Sequence, residues 1–224
     1  MSKQPQYFYT SDTHVGHRFA AGDRGFWDED NVIDGPDGPE CLADTQSHDA
    51  QLADMWDSTV RPQDTVFVLG DISINGSDYA LQWHDERPGN KVLITGNHDP
   101  VWGFHRDSFK VYQKWNQVFM ATMPFLRRKL GGHYFLMSHF PYLGTGQEGH
   151  GLKIPRAPEF RLPDMGIPLL HGHTHGKERY HVSDLGTPQL HVGLDAWDMQ
   201  LVEQDTVQGW LEHPTSTFYL GESE

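Results

Sequence analysis

An α/β fold is predicted for this chain by three observations on its sequence. Five short apolar runs each end in a cluster of polar side chains, and segments of helical spacing separate the first three runs. From Met120 onward the pattern changes to alternating runs joined by glycines.

The first run, 6–10, leads into Ser11-Asp12-Thr13-His14, the second, 65–69, into Gly70-Asp71, and the third, 91–95, into Gly96-Asn97-His98-Asp99. Between them, 47–59 places Leu52, Met55 and Trp56 on one helical face, and 77–86 does so with Tyr79 or Ala80, Leu81, Trp83 and His84. Both segments are predicted as crossover helices. Runs 120–126 and 133–137, joined at Gly131-Gly132, predict an antiparallel hairpin that leads into Ser138-His139. A fifth strand, 167–170, precedes His171-Gly172-His173-Thr174-His175, and 203–212 has the spacing of a late helix. Ligands of α/β sheets bind outside the carboxyl ends of the strands, so five such ends predict one shared site. Residues 142–165, rich in Gly and Pro and carrying His150, Lys153, Arg156 and Arg161, are expected to be an active-site loop or disordered. No repeat or linker divides the chain, and residues 1–224 are expected to form one domain.

Composition narrows the chemistry. A chain of 224 residues can bury roughly 70–75% of its unfolded surface in a single core. With 17 Lys and Arg against 31 Asp and Glu the net charge is −14, which excludes a broadly basic nucleic-acid-coating surface. The single cysteine, Cys41, excludes an intrachain disulfide and thiolate-rich metal motifs. The sequence shows neither a basic-then-apolar leader nor an apolar stretch of about 18 residues, so a cytoplasmic protein without a membrane partner is expected. With 15 histidines, metal chemistry would use His, Asp, Glu or Asn.

Asp12 and His14 stand at i and i+2, so at a strand end both can address one cation. Gly70 lets backbone approach closely beside Asp71. Asn97, His98 and Asp99 offer an amide oxygen, a titratable imidazole and a carboxylate able to orient it in one tight turn. His173 and His175 repeat the i, i+2 geometry, and His139 adds an imidazole at another strand end. Together these predict a dinuclear metal site.

This ordered set, Asp-x-His, Gly-Asp, Gly-Asn-His-Asp, His and Gly-His-x-His, resembles the calcineurin-like metallophosphoesterase superfamily, with all five blocks in order between Asp12 and His175. The segments Tyr9-Thr10-Ser11-Asp12-Thr13-His14-Val15-Gly16-His17, Ser138-His139-Phe140-Pro141 and Val192-Gly193-Leu194-Asp195-Ala196-Trp197 resemble its small bacterial and phage members. The resemblance implies a four-layer α/β/β/α sandwich with two mixed sheets. It implies one metal held by Asp12, His14, Asp71 and His175, a second held by Asp71, Asn97, His139 and His173, and Asp71 between them. His98 would donate to the phosphate and protonate the leaving oxygen, with Asp99 orienting it.

The sulfur-free donor set suits Mn, Fe, Zn or Ni, and two such ions, manganese or iron ahead of zinc or nickel, are the expected cofactors. Such a pair lowers the pKa of a bridging water, aims it at phosphorus and neutralises the phosphoryl oxygens. The sequence departs from many relatives in following Asp71 with Ile72-Ser73-Ile74 rather than a second Asp, and in Arg24-Gly25-Phe26 where Arg-Pro-Phe is common. Arg24, His17 and His150 are candidate substrate contacts, and Asp195 is a candidate for orienting a ligand histidine. Trp102 could stack on a base, and Arg127-Arg128-Lys129 reads first as an exposed hairpin end. The expected function is hydrolysis of a phosphodiester, a nucleotide or another small diester. Phosphomonoester hydrolysis, a nuclease or repair role and a non-catalytic scaffold are the competing readings. The net charge argues against extended nucleic acid as a partner.

Overall fold

The computed structural model describes residues 4–35, 38–74, 78–142 and 160–214. His150, Lys153, Arg156 and most of the 142–165 loop lie outside them. In chain order the strands are β1 (Tyr7–Thr10), β2 (Trp27–Gly35), β3 (Gly38–Ala43), β4 (Thr65–Val68), β5 (Asn90–Ile94) and β6 (Ala121–Met123), then β7 (Phe125–Leu130), β8 (His133–Ser138), β9 (Leu169–His171), β10 (Tyr180–Val182), β11 (Pro188–His191) and β12 (Val202–Glu203). The helices are α1 (Arg18–Asp23), α2 (Thr45–Thr59), α3 (Asp78–Asp85), α4 (Tyr112–Trp115) and α5 (Gln204–Glu212).

Two mixed sheets carry the fold, in the orders β12-β1-β4-β5-β6 and β10-β11-β9-β8-β7. β1, β4, β5 and β6 run parallel, as do β8, β9 and β11. The alternation of each strand divides its side chains between two cores. Phe8, Val66, Val68 and Leu93 face one way and pack with Leu52, Trp56, Leu81 and Trp83 of α2 and α3. Tyr9, Phe67, Leu69, Val92 and Ile94 face the other way and meet Phe135, Met137, Leu170 and Leu190 of the second sheet, with Trp210 of α5. Each such burial contributes roughly 1.5–3 kcal/mol, so the sheets are held face to face by their inner sides. The second sheet's Gln189 is met by Tyr142, whose N–H donates to the Gln189 side chain at 2.7 Å. The two mixed sheets, with α2 and α3 packed on the first, make up three of the four layers implied by the resemblance.

Helix α2 is capped by Asp44, which accepts from the Ser47 N–H at 2.9 Å, and so starts at Thr45, two residues before the segment read from apolar spacing. The run 120–126 does not form one hairpin strand. Pro124 has no N–H for a ladder, and the chain changes sheet there: β6 pairs parallel with β5, while β7 pairs antiparallel with β8. The hairpin turn itself is where it was expected, with Gly131 at φ 55° and Gly132 at φ 92°, a pair of left-handed positions that glycine adopts without strain. Arg128 is not at a free end: its guanidinium lies 4.1 Å from the Tyr7 ring centroid and 4.6 Å from that of Phe67. The β2–β3 hairpin was not anticipated. Among the described residues no helix is long and apolar enough to cross a membrane.

Candidate metal centre

The parallel strands β1, β4, β5, β8, β9 and β11 deliver their carboxyl ends to one crevice. The turns beyond β1 and β4 are zipped together by Asp12 N–H to Gly70 O (3.0 Å), His14 N–H to Asp71 O (3.2 Å) and Val15 N–H to Ile72 O (2.9 Å). A bridge between Ser11 and Gly193 ties the first sheet to the second. Gly172 allows that closeness: a Cβ there would strike Ser11 Oγ and Asp12 Oδ2. Asp12, His14, Asp71, His173 and His175 all have φ between 45° and 73°, a left-handed backbone that non-glycine residues adopt only under compulsion from their surroundings. Five of the seven predicted ligands thus carry backbone strain of the kind that clusters at functional sites.

Their donor atoms form two groups, Asp12 with His14 and His175, and Asp71 with His139 and His173. Each group takes donors from both sheets. In the first, His14 Nε2 and His175 Nε2 lie 3.0 Å apart, with Asp12 Oδ1 3.7 Å from His175 Nε2. In the second, His139 Nε2 lies 3.3 Å from Asp71 Oδ2 and 3.2 Å from His173 Nδ1.

Hydrogen bonds on the far side of two rings aim the nitrogens. The Leu69 carbonyl, which can only accept, sits 2.7 Å from His139 Nδ1, so that nitrogen carries the proton and Nε2 presents a lone pair when the ring is neutral. Asp195 Oδ2, 3.0 Å from His175 Nδ1, does the same for His175. Asp12 Oδ1 and Asn97 Oδ1 are buried without a hydrogen-bond partner among the described residues. Orphaned buried oxygens beside convergent imidazole lone pairs fit cations, which supply the missing partner.

Electrostatics follow from burial and proximity. Burial alone would lower the His139 pKa, but the Asp71 carboxylate overrides it and brings the ring up to about 9. Burial would likewise raise Asp71, and His139 holds it well below the usual carboxylate range. His173 is driven down to about 2 by burial and by the charge of His139. Burial raises the pKa of Asp12.

The remaining predicted residues divide. His98 lines the cavity with its side chain 39% exposed, while its backbone N–H donates to Asp71 Oδ1 at 2.9 Å. Asp99 does not orient His98. Its buried carboxylate accepts from the N–H groups of Gly96 (2.8 Å), Asp71 (3.1 Å) and Ile72 (3.1 Å), fixing the two ligand loops against each other. Burial and repulsion from Asp71 raise its pKa to about 7. His17 lines the cavity.

Arg24 does not face the cavity. Its side chain is 4% exposed and donates to both oxygens of Asp195 (2.9 and 3.0 Å), to the carbonyls of Asp12 (2.7 Å) and Thr13 (3.2 Å), and to His48 Nε2 (3.0 Å). It braces the ligand loop and, through Asp195, His175. Trp102 is buried against Phe140 and Phe160 rather than open to a base. Arg161 donates to the carbonyls of Pro141 and Tyr142.

The cavity itself has a volume of about 360 Å³. Sequence reasoning missed its apolar lip of Phe19, 63% exposed, and Ile74, because neither residue belongs to a polar motif.

The chain is 41% identical over 212 residues to the Gene 66 protein of Mycobacterium phage D29, spanning 90% of this chain and 93% of the relative. It is 38% identical over 218 residues to the Gene 66 protein of Mycobacterium phage L5, spanning 92% and 94%. No family model matches. Among solved structures, a protein of unknown function from Aquifex aeolicus, AQ665, aligns with a TM-score of 0.60 at 17% identity over 92% of this chain and 99% of its own, a likeness of fold. An archaeal phosphodiesterase (TM-score 0.42, 15% identity, 84% of this chain and 83% of its own) and the phosphopantetheinyl hydrolase of Mycobacterium tuberculosis (0.47, 13%, 91% and 96%) align too distantly to bear on chemistry.

Proposed function

The chain belongs to the family of the mycobacteriophage Gene 66 proteins, and we propose that it is a two-metal hydrolase of phosphodiesters with the calcineurin-like metallophosphoesterase architecture. The observation that carries this reading is the pair of buried donor groups, Asp12–His14–His175 and Asp71–His139–His173, opening on one cavity with orphaned oxygens of Asp12 and Asn97 beside them.

Those residues would hold two cations, manganese or iron before zinc or nickel, whose charge activates a water and neutralises phosphoryl oxygens. The chain's own residues do the rest. His139 and His175 are held in one tautomer by Leu69 O and Asp195, so their donor atoms need no reorganisation. Asp71, charged within reach of both His14 and His139, balances the positive charge of either group. His98 stands in the cavity wall, with its ring centroid 6.1 Å from that of His14, where its imidazole donates to a phosphate oxygen or to the departing alkoxide. The lip of Phe19 and Ile74 suits an apolar or aromatic group on the substrate.

A small ester, such as a nucleotide, is the proposed substrate. A surface with a net charge of −14 repels a long polyanion, so extended nucleic acid is not proposed. The site is proposed to work in the cytoplasm. The test is metal analysis of the purified protein, then turnover of bis(4-nitrophenyl) phosphate and 4-nitrophenyl phosphate after loading with manganese. Two bound metals with diester turnover support the reading; hydrolysis of the monoester alone makes the protein a phosphatase. Turnover of neither ester would refute it.

A further inference from the structure

Beside the cavity just described lies a second, of about 350 Å³, which shares Asn97 and His98 with it as a common wall. Its remaining walls are unlike those of the first. Pro100 and Val111 give it an apolar side, while His105, Asp107 and Ser108 supply hydrogen-bonding groups. His105 is fixed toward Asn97 by the bond between its Nε2 and Asn97 O at 3.0 Å. Asp107 is paired with Arg106 (3.1 Å) and Lys110 (2.9 Å), but neither of those cations lines the cavity. The pocket therefore presents a carboxylate, a hydroxyl and an imidazole to its occupant, and no positive side chain. The carboxylate, the hydroxyl and the imidazole can each accept from hydroxyl donors.

We propose that this second cavity receives one organic arm of the substrate, a hydroxyl-bearing group of pentose size. The scissile phosphate then lies at the shared wall by His98, and the other arm lies against Phe19. This rests on the phosphodiesterase reading of the first cavity and deepens it: a monoester would leave one of two adjoining cavities of nearly equal volume unused. Each is of a size that encloses a small organic group.

Esters that share one leaving group test the arm alone. With manganese-loaded protein, kcat/KM is measured for the 4-nitrophenyl ester of thymidine 5′-phosphate and for methyl 4-nitrophenyl phosphate. The first should exceed the second. Asp107→Trp, which fills the second cavity at the cost of exposed ion pairs only, should lower the thymidine-to-methyl ratio by about tenfold or more. Ser108→Ala, a milder change, should lower it by about three- to tenfold, the worth of one hydrogen bond. A ratio near one in the wild type, or a ratio unchanged in both folded variants, overturns the assignment while leaving the phosphodiesterase intact. A wild type that cleaves neither ester overturns the phosphodiesterase reading and this inference together.

Discussion

Replacing Arg24 with methionine tests whether this side chain is a brace or a substrate contact. The guanidinium makes five hydrogen bonds from a nearly sealed position, two of them to Asp195, itself 12% exposed. Methionine keeps much of the length of the stem and removes every donor. Breaking a buried ion pair from one side costs about 3–5 kcal/mol, because the partner charge stays behind without compensation. The unfolding free energy of Arg24→Met in urea, followed by tryptophan fluorescence at pH 7, should fall by that amount. The loss should shrink in acid. Burial tends to raise the Asp195 pKa, but hydrogen bonds from His175 and Arg24 overcome it and hold the carboxyl well below the ordinary range. The stabilisation it gives is therefore present above the unfolded carboxylate pKa, near ~4, and is lost as pH drops below it. The variant's deficit should narrow between pH 5 and pH 3. Since Asp195 also aims His175, affinity for the metal held with Asp12 and His14 should fall about 10–100-fold in a calorimetric titration. A variant within 1 kcal/mol of wild type, binding metal normally and impaired only in KM, would show that Arg24 reaches substrate after all.

Three further perturbations probe the rest of the site. Asp71→Asn should lower metal content at both donor groups and abolish turnover; two metals retained with full activity would contradict a shared role for Asp71. His98→Ala should keep its metals and lose about 10²- to 10⁴-fold in kcat, the range of general acid–base assistance, so loss of metal instead would make His98 a ligand. His84, on the buried face of α3 with Nδ1 2.8 Å from Ala80 O, is held neutral by burial with its pKa lowered to about 4. Its unfolded counterpart takes up a proton near ~6.5, so stability falls as pH drops from there toward 4, by about 2 kcal/mol between pH 7 and pH 5 from this one ring. His84→Phe should remove that slope; equal slopes in the two proteins would assign the acid sensitivity elsewhere.

Much of this architecture is legible in the sequence because strand ends write short, local signatures. An apolar run followed at once by Asp12, Asp71, Asn97, His139 or His173 announces both the strand and the side chain it delivers, and α2 and α3 show in their spacing of Leu52, Met55, Leu81 and Trp83. What escaped is non-local or weakly patterned. The β2–β3 hairpin exposes Trp27, Val32 and Ile33 in an acidic stretch with no alternation to mark a buried face. The strands β10 and β12 are three and two residues long. No spacing rule links Arg24 to Asp195 across 171 positions, or sends the Asp99 carboxylate to the backbone of Asp71 rather than to its neighbour His98. Phe19 is one aromatic among 12 phenylalanines until the fold sets it at the mouth of the crevice.

Because each donor group borrows from both sheets, an ion bound in either one would act as a rivet through the seam of the sandwich. Its binding energy then adds to the cohesion of the halves in proportion to the logarithm of ion concentration over dissociation constant. Chelators should consequently loosen the joint between the layers before they melt either layer. Amide exchange in β8 and β9 would quicken in step with the turns after β1 and β4, and what looks like a catalytic accessory would double as a fastener.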